Sequence, residues 1–449
     1  MGRTQVFLAA GLTGVAAMAA ALDAGLLTPA DRRLLVISNN APVPEISPAA
    51  DAMAGFEALR GRFDRVLSWN EAISPLHPRG WTPRPDDVPM WERHLRRLWD
   101  LGDDDVELVV ESVHIDPALA LVTAFTAAPV VAYAEGLTAY GPTPNKLEPL
   151  VSTRIGRLLH LGLVPGLRPL MLTEYGVPEE VVPAEAFTKV LAEVATAAEL
   201  TADGGTPARG GALLLGQYLS GLEILSDRQE EELHLRMLRA AVAAGHRTIV
   251  FKPHPTAPAH RAGQLEREAA ELGAELHVAD PALPAEALFQ SVRPELVAGC
   301  FSAALFTAST LYGLPVARIG TETVLERFSV YADSNRVPVT IADRLLPDLA
   351  DAAAVAGWTP PAAERVASEV GPLLRAVAFC MQPQIYASLR NETAAYLSNR
   401  LNSGSQRYFT RRRLSRLALP GGVPAQLAFL PNNPAVRRAA RRLRHVARR

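Results

Sequence analysis

The sequence predicts an α/β protein built from two Rossmann-like halves facing a central cleft, followed by C-terminal helices and a basic tail. Three observations carry that prediction. Short β-branched runs alternate with helical stretches from residue 4 to about residue 345, the pattern of strands in parallel sheets. The 449 residues exceed one ordinary core, since a domain takes roughly 100–200 residues. A glycine-punctuated run, TADGGTPARGG, separates two alternating series in the manner of a linker. The expected divisions are 1–203 for the first domain, 204–210 for the linker, 211–350 for the second domain, 351–400 for helices crossing back onto the first, and 401–449 for the tail.

The first half opens with one arginine ahead of an alanine-rich apolar run, which superficially suggests a secretion signal. It divides better into a strand, Gln5 to Ala10, a glycine turn from Gly11 to Gly14, and an alanine-rich helix with Asp23 near its end. The next strand, Leu34 to Ser38, follows at the spacing of a βαβ crossover. Lacking the full GxGxxG, the turn carries no nucleotide signature of its own. Phe63 to Trp69 reads as a third strand and Trp91 to Asp100 as an amphipathic helix with its tryptophans in the core. Val106 to Glu111 and Val130 to Tyr133 add two strands around a helix over Pro117 to Ala127. Directly after them stands Ala134-Glu135-Gly136. A carboxylate at a strand's carboxyl end, followed by a glycine that lets substrate reach the backbone, is a candidate general base, although turn glutamates are common. Residues 141–205 show proline and glycine punctuation, no strand, and one helix over Ala184 to Leu200.

The second half starts with a strand at Ala212 to Leu215 and Gln217 in the loop behind it. A helix over Asp227 to Ala244 is capped by Ser226, and Asp227, Glu230, Glu231 and Glu232 complement its dipole. The strand at 248–252 then ends abruptly in Lys252-Pro253-His254-Pro255. Two prolines remove two backbone donors and fix φ, so His254 sits between stiff joints at a strand's carboxyl end, where open α/β sheets place ligands. A helix from His260 to Leu272, a strand at Glu275 to Val278 and a helix near Ala285 to Gln290 follow. The strand from Leu296 runs into Gly299, and Ser302 opens the next helix, Ala303 to Tyr312, so free amides, helix dipole and hydroxyl converge on one anion site. Ser302 can cap that helix at the same time. Pro315 to Ile319 is the last strand, Tyr331 to Ile341 reads as a polar loop leading into a short extended segment, and 362–400 as long helices.

Composition narrows the chemistry. With 49% hydrophobic and 20% charged residues the chain is globular. Two cysteines, Cys300 and Cys380, give no disulfide framework and no zinc spacing, and no EF-hand, HExxH or Walker A pattern occurs. Metal-free chemistry in a reducing compartment is the expectation. The net charge of −2 hides an asymmetry, because all twelve charged residues after Leu401 are arginines. An acid on one side of the cleft and a histidine with an anion-binding helix on the other suit transfer from a nucleotide-activated sugar, where one side deprotonates a hydroxyl and the other stabilises a leaving phosphate. They suit hydride transfer poorly.

FKPHP at 251–255, GCFSAALFTA at 299–308, SNRVPVTI at 334–341 and YAEG at 133–136 together resemble the bacterial α-2,8-polysialyltransferase family and its sialyltransferase relatives. The resemblance implies the two-Rossmann GT-B fold, metal independence, inversion at the anomeric carbon, and CMP-sialic acid as donor with no further cofactor, in the setting of capsule polysaccharide. Carried onto this chain, His254 would contact or protonate the CMP phosphate and Ser302 would bind it, with Lys252, Pro255, Gly299, Gln217 and Thr307 in the same donor site. Glu135 would be the base, with Gly136, Gly11 and Gly14 on the acceptor side. The family motif has two adjacent acidic residues before the glycine, and this chain has Ala134 then Glu135.

Two other readings stay open, a transferase using a CDP-polyol or another sugar nucleotide, and a non-catalytic nucleotide-sugar-binding protein. The tail helix, Ala435 to Arg449, sets Val436, Ala440, Leu443 and Ala447 among arginines, which suits an anionic membrane surface. Neither half resembles a nucleic-acid module. The expected partners are therefore a nucleotide-sugar donor and a glycan acceptor, and the expected place is cytoplasmic, peripheral on the inner membrane face.

Overall fold

The computed structural model of the chain describes residues 2–201, 209–257, 263–402 and 404–422. Its core is two parallel sheets. The first runs in the order β3-β2-β1-β4-β5-β6-β7, with β1 at Arg3–Ala9, β2 at Arg32–Ile37, β3 at Arg65–Ser68, β4 at Asp105–Glu111, β5 at Val130–Ala134, β6 at Ile155–His160 and β7 at Glu179–Val181. The second runs β10-β9-β8-β11-β12, with β8 at Ala212–Leu215, β9 at Thr248–Lys252, β10 at Glu275–Val278, β11 at Leu296–Gly299 and β12 at Val316–Arg318. Continuous burial along β1, β4, β5 and β8 fits strands covered by helices on both faces.

Each order reverses direction once, between β1 and β4 and between β8 and β11. At such a switch point the crossover helices diverge to opposite faces and leave a crevice beyond the carboxyl ends of the strands. Gly11 and Glu111 therefore border one crevice, and Gln217 and Ser302 the other.

The sheets are held together directly and by the C-terminal helices. Thr310 Oγ1, in the second domain, donates to the Leu163 carbonyl in the first at 2.9 Å. The buried Tyr386 hydroxyl meets the Thr143 amide at 3.0 Å, the Leu170 carbonyl at 2.8 Å and Glu174 Oε2 at 2.7 Å. These contacts tie the segment after residue 362 to the first domain, in three helices of moderate length, Ala363–Glu369, Gly371–Met381 and Arg390–Arg400, in place of the long helices expected.

Three other elements differ from the sequence reading. Gly11 to Gly14 is not a turn: the helix begins at Leu12 and runs to Asp23, with Gly14 inside its first turn. Residues 141–205 contain two strands, β6 and the short edge strand β7, which extend the first sheet. Val337 to Ile341 lies inside a helix, Arg336–Leu345, where an extended segment was expected. Pro338 falls in its first turn, where a missing amide costs nothing. Buried Arg336 fixes the helix start, with its guanidinium 4.1 Å from the Tyr331 ring centre and Nε donating to the Tyr331 carbonyl at 2.7 Å. From 404 to 422 the arginine-rich segment packs on the body through Tyr408, Phe409 and Leu414, and the expected amphipathic helix at 435–449 lies outside the described residues.

Candidate active site

In the second domain β9 delivers Lys252 buried at the strand end. Its Nζ donates to the Pro253 carbonyl at 2.7 Å and the Pro281 carbonyl at 3.1 Å, pinning the KPHP turn to the loop before the Ala285–Ser291 helix. Burial pulls the ammonium down to about 8, opposed by the charges of Glu286 and Asp280. Beyond it the half-buried His254 receives the Thr256 amide on Nδ1 at 3.3 Å, with Thr256 Oγ1 2.9 Å away. An accepting Nδ1 puts the proton of the neutral ring on Nε2, which is thereby a donor. Burial first, and the Lys252 charge second, push the imidazole down to about 4, with Glu230 pulling the other way. Pro255 closes the turn, and the Tyr218 ring lies 6.3 Å from the imidazole.

Across the second switch point, Ser302 caps the Ala303–Tyr312 helix, its Oγ accepting the Ala304 amide at 3.3 Å. Gln217 Oε1 takes the Phe301 amide at 2.6 Å and so ties the loop after β8 to the loop after β11. That first loop is itself held by buried Glu230, whose carboxylate accepts the Leu219 amide at 2.6 Å, the Ser220 amide at 3.1 Å and the Ser220 hydroxyl at 2.6 Å. Between them Tyr218 adopts φ 53, a left-handed conformation costing a non-glycine residue roughly 1–2 kcal/mol. Gly299 and Thr307 serve packing. A side chain at 299 would meet Leu215 Cβ at 3.4 Å, and the buried Thr307 hydroxyl bonds back to the Ala303 carbonyl at 3.4 Å.

The first domain brings Glu135 to meet this arrangement. Its Oε2 is buried and has no hydrogen-bond partner among the described residues. The space for it comes from Gly14, where a Cβ would stand 2.8 Å from that oxygen. Ala134 packs on the other face of the sheet from Tyr133, so the position where the motif has its other acid does not share Glu135's face. At Gly136 the two domains meet: a Cβ there would lie 3.8 Å from Ala303 Cβ, one residue past Ser302. Gly11 flanks the open start of the Leu12–Asp23 helix, which has no side-chain cap, and nothing lies within 4 Å of where its Cβ would be.

A family model of the alpha-2,8-polysialyltransferases matches residues 5–321. The chain belongs to that family. It is a glycosyltransferase, and its paired parallel sheets are the GT-B architecture. Among solved structures, the polysialyltransferase-family chain is similar to the UDP-GlcNAc 2-epimerase of Methanocaldococcus jannaschii, at 13% identity over 70% of this chain and 83% of that one, TM-score 0.42. It is also similar to the GT-B domain of a sialyltransferase from Photobacterium damselae, at 11% identity over 79% and 97%, TM-score 0.39. A third is Acinetobacter baumannii MurG, at 10% identity over 76% and 83%, TM-score 0.38. No curated protein sequence matches.

Three glutamates that lie around these residues in the polysialyltransferase-family chain were not singled out as candidates from the sequence. Glu111 closes β4 beside β5, and burial pushes its carboxyl up to about 7. Glu286, buried in the first turn of the Ala285–Ser291 helix, is raised by burial and drawn down by Lys252. Burial raises Glu135 well above the usual carboxylate range, and the charges of Glu111 and Glu286 raise it further. The third, Glu230, builds the loop beside His254. Electrostatic contact thus runs unbroken from Glu111 through Glu135, Glu286 and Lys252 to His254, across both domains. A signal existed for Glu111: like Glu135, it is a charged residue directly ending an apolar run at a strand's carboxyl end.

Proposed function

We propose that the protein transfers sialic acid from CMP-sialic acid to a glycan hydroxyl, with inversion and without a metal ion. The observation that supports it is the approach of Gly136 to Ala303, which brings the residue after Glu135 beside the residue after Ser302. The donor phosphate would lie at the positive start of the Ala303–Tyr312 helix, on the Ser302 hydroxyl and on the Nε2–H of His254. The acceptor would approach over Gly136 and Gly11, neither of which carries a side chain of its own.

As the acceptor oxygen bonds to the anomeric carbon, the bond from that carbon to the phosphate oxygen breaks and its electron pair leaves with CMP. The acceptor proton passes to the Glu135 carboxylate. His254, neutral before the donor binds, stabilises the growing phosphate charge by donating a hydrogen bond from Nε2, and the bound phosphate charge favours uptake of a solvent proton by the ring, whose imidazolium form donates more strongly. Helix amides, hydroxyl and imidazole supply the charge stabilisation that a cation supplies elsewhere.

Among the described residues no helix is long and apolar enough to cross a membrane. The arginines at 437–449 would hold the enzyme peripherally on an anionic, cytoplasm-facing membrane surface.

Incubation of the pure protein with labelled CMP-sialic acid and a panel of glycan acceptors, with and without EDTA, tests the reading. Turnover that is insensitive to EDTA supports it. Binding of CDP or UDP ligands in calorimetry without binding of CMP would move the assignment to another donor. CMP-sialic acid binding without turnover would make the chain a binding protein.

A further inference from the structure

Glu111 has no part in the chemistry just described, yet the sheet delivers it to the same spot as Glu135. β4 and β5 are parallel neighbours with Glu111 opposite Tyr133. Alternate residues on a strand share a face, and Val109 and Tyr133 both pack in the cluster that covers the Leu12–Asp23 helix. Glu111, two residues beyond Val109, leaves the sheet on that side. Glu135, two residues beyond Tyr133, does so as well, as its contact with Gly14 in that helix shows. Diagonal neighbours of this kind have Cα atoms about 7–8 Å apart, a gap two glutamate side chains can close.

Among the described residues no lysine or arginine pairs with either carboxyl. The groups whose charge reaches Glu135 are Glu111 from β4 and Glu286 from the Ala285–Ser291 helix. The Tyr133 hydroxyl is committed to the Leu8 carbonyl at 3.1 Å. Lys252 acts on Glu286, not on Glu135. Two carboxyls buried together cannot both ionise at neutral pH, so the pair titrates in two separated steps. The raised values of both groups agree with that.

We propose that Glu111 and Glu135 form one carboxyl dyad sharing a single proton, in which Glu111 sets the protonation of Glu135 and so governs when the acceptor hydroxyl can be deprotonated. The inference rests on the glycosyl-transfer reading for its catalytic part. In the reaction the ionised member of the pair takes the acceptor proton, and the dyad, then holding two protons, returns one to solvent after CMP has left. Glu111 is a positioning residue in this scheme, acting through Glu135.

The test combines a readout that needs no catalysis with one that does. Infrared difference spectra of the substrate-free full-length protein would follow the carboxylic C=O band with pH, and kcat/KM would be measured across the same range. Wild type is expected to keep one protonated carboxyl above neutral pH. Glu111→Gln should lower the upper titration by about one unit or more, and move the acid limb of kcat/KM, set in wild type by the first ionisation of the pair, to higher pH, because the remaining carboxylate loses the proton its neighbour shared with it. Glu111→Asp should restore both towards wild type. An unmoved titration and an unmoved limb in Glu111→Gln, with transfer intact, would overturn the dyad and leave the transfer reading standing. A shifted titration with no sialyl transfer by any variant would remove the transfer reading and leave the pair.

Discussion

The Cβ that Gly14 lacks would stand 2.8 Å from Glu135 Oε2 and 2.9 Å from the Tyr133 hydroxyl. A helix glycine in the first domain is therefore what admits the candidate base to its position. Gly14→Ala should gain about 0.5–1 kcal/mol of helix propensity and lose about 1–3 kcal/mol to overpacking. The net is a loss of about 0–2.5 kcal/mol, while Glu135 is displaced. Transfer should fall about tenfold or more, beyond what a Tm lowered by several degrees at most would explain. Parallel melts and kcat/KM measurements check this, and an active Gly14→Ala enzyme would show that the glycine is not needed there.

His254 lies in a turn whose shape is set by Pro253, Pro255 and the Lys252 anchor, none of which needs the imidazole. His254→Ala should leave the melting curve within about 0.5 kcal/mol of wild type. It should lower transfer about 100-fold or more, since it removes the donor aimed at the leaving phosphate. Calorimetric titration with CMP would show a matching loss of affinity, and retained turnover would exclude the histidine from the chemistry.

The fold was legible because both sheets announce themselves in β-branched runs at regular spacing, and the KPHP and GCFS joints because a strand is cut off by residues that cannot continue it. β6 and β7 were not legible. Ile155–His160 has a glycine and an arginine early in the run, and Glu179–Val181 is a three-residue edge with two charges. The PVTI run at 338–341 misled because β-branched residues favour strands, whereas buried Arg336 and a first-turn proline make a helix of it. The partners of Glu135 were hidden for a different reason. Glu111 and Glu286 lie 24 residues before and 151 residues after it, and only strand order and domain packing bring them together.

Buried carboxyls with raised pKa values tax stability in a definite pH window. The folded-state value of Glu111 is about 7 against an ordinary 4.5, and Glu135 is raised well above the same figure. A folded carboxyl that holds its proton more tightly favours the native state at low pH, and this contribution is lost as pH rises from 4.5 through the folded value. His114, pushed by burial down to about 4, has the opposite sign: its contribution is present above 6.5 and lost as pH falls towards 4. Glu111→Gln should therefore stabilise the protein at pH 8, by roughly 1 kcal/mol or a few degrees in Tm, and have little effect at pH 5. Equal shifts at both pH values would count against a raised carboxyl.

Where the arginine-rich segment joins the body, one buried carboxylate holds three elements together. Asp343 accepts the Tyr408 hydroxyl at 2.6 Å and the Thr321 hydroxyl at 2.8 Å, and pairs with Arg407 at 3.0 Å and Arg318 at 3.3 Å. Arg318 also reaches Glu322 at 2.7 Å and Asp348 at 2.8 Å. Removing one partner from such a buried network leaves charges unpaired, so Asp343→Ala should cost about 3–5 kcal/mol in chemical denaturation. The same geometry separates two truncations. Ending the chain after Gly422 keeps Arg407 and Tyr408 and should keep the wild-type Tm, while removing the seven arginines at 437–449 and weakening sedimentation with anionic vesicles. Ending it after Arg400 strips Asp343 of two of its four partners, Arg407 and Tyr408, and should lower the Tm towards the Asp343→Ala value. If the two truncations melt alike, residues 401–422 contribute nothing to the second domain, and the arginine-rich segment acts only as a tail.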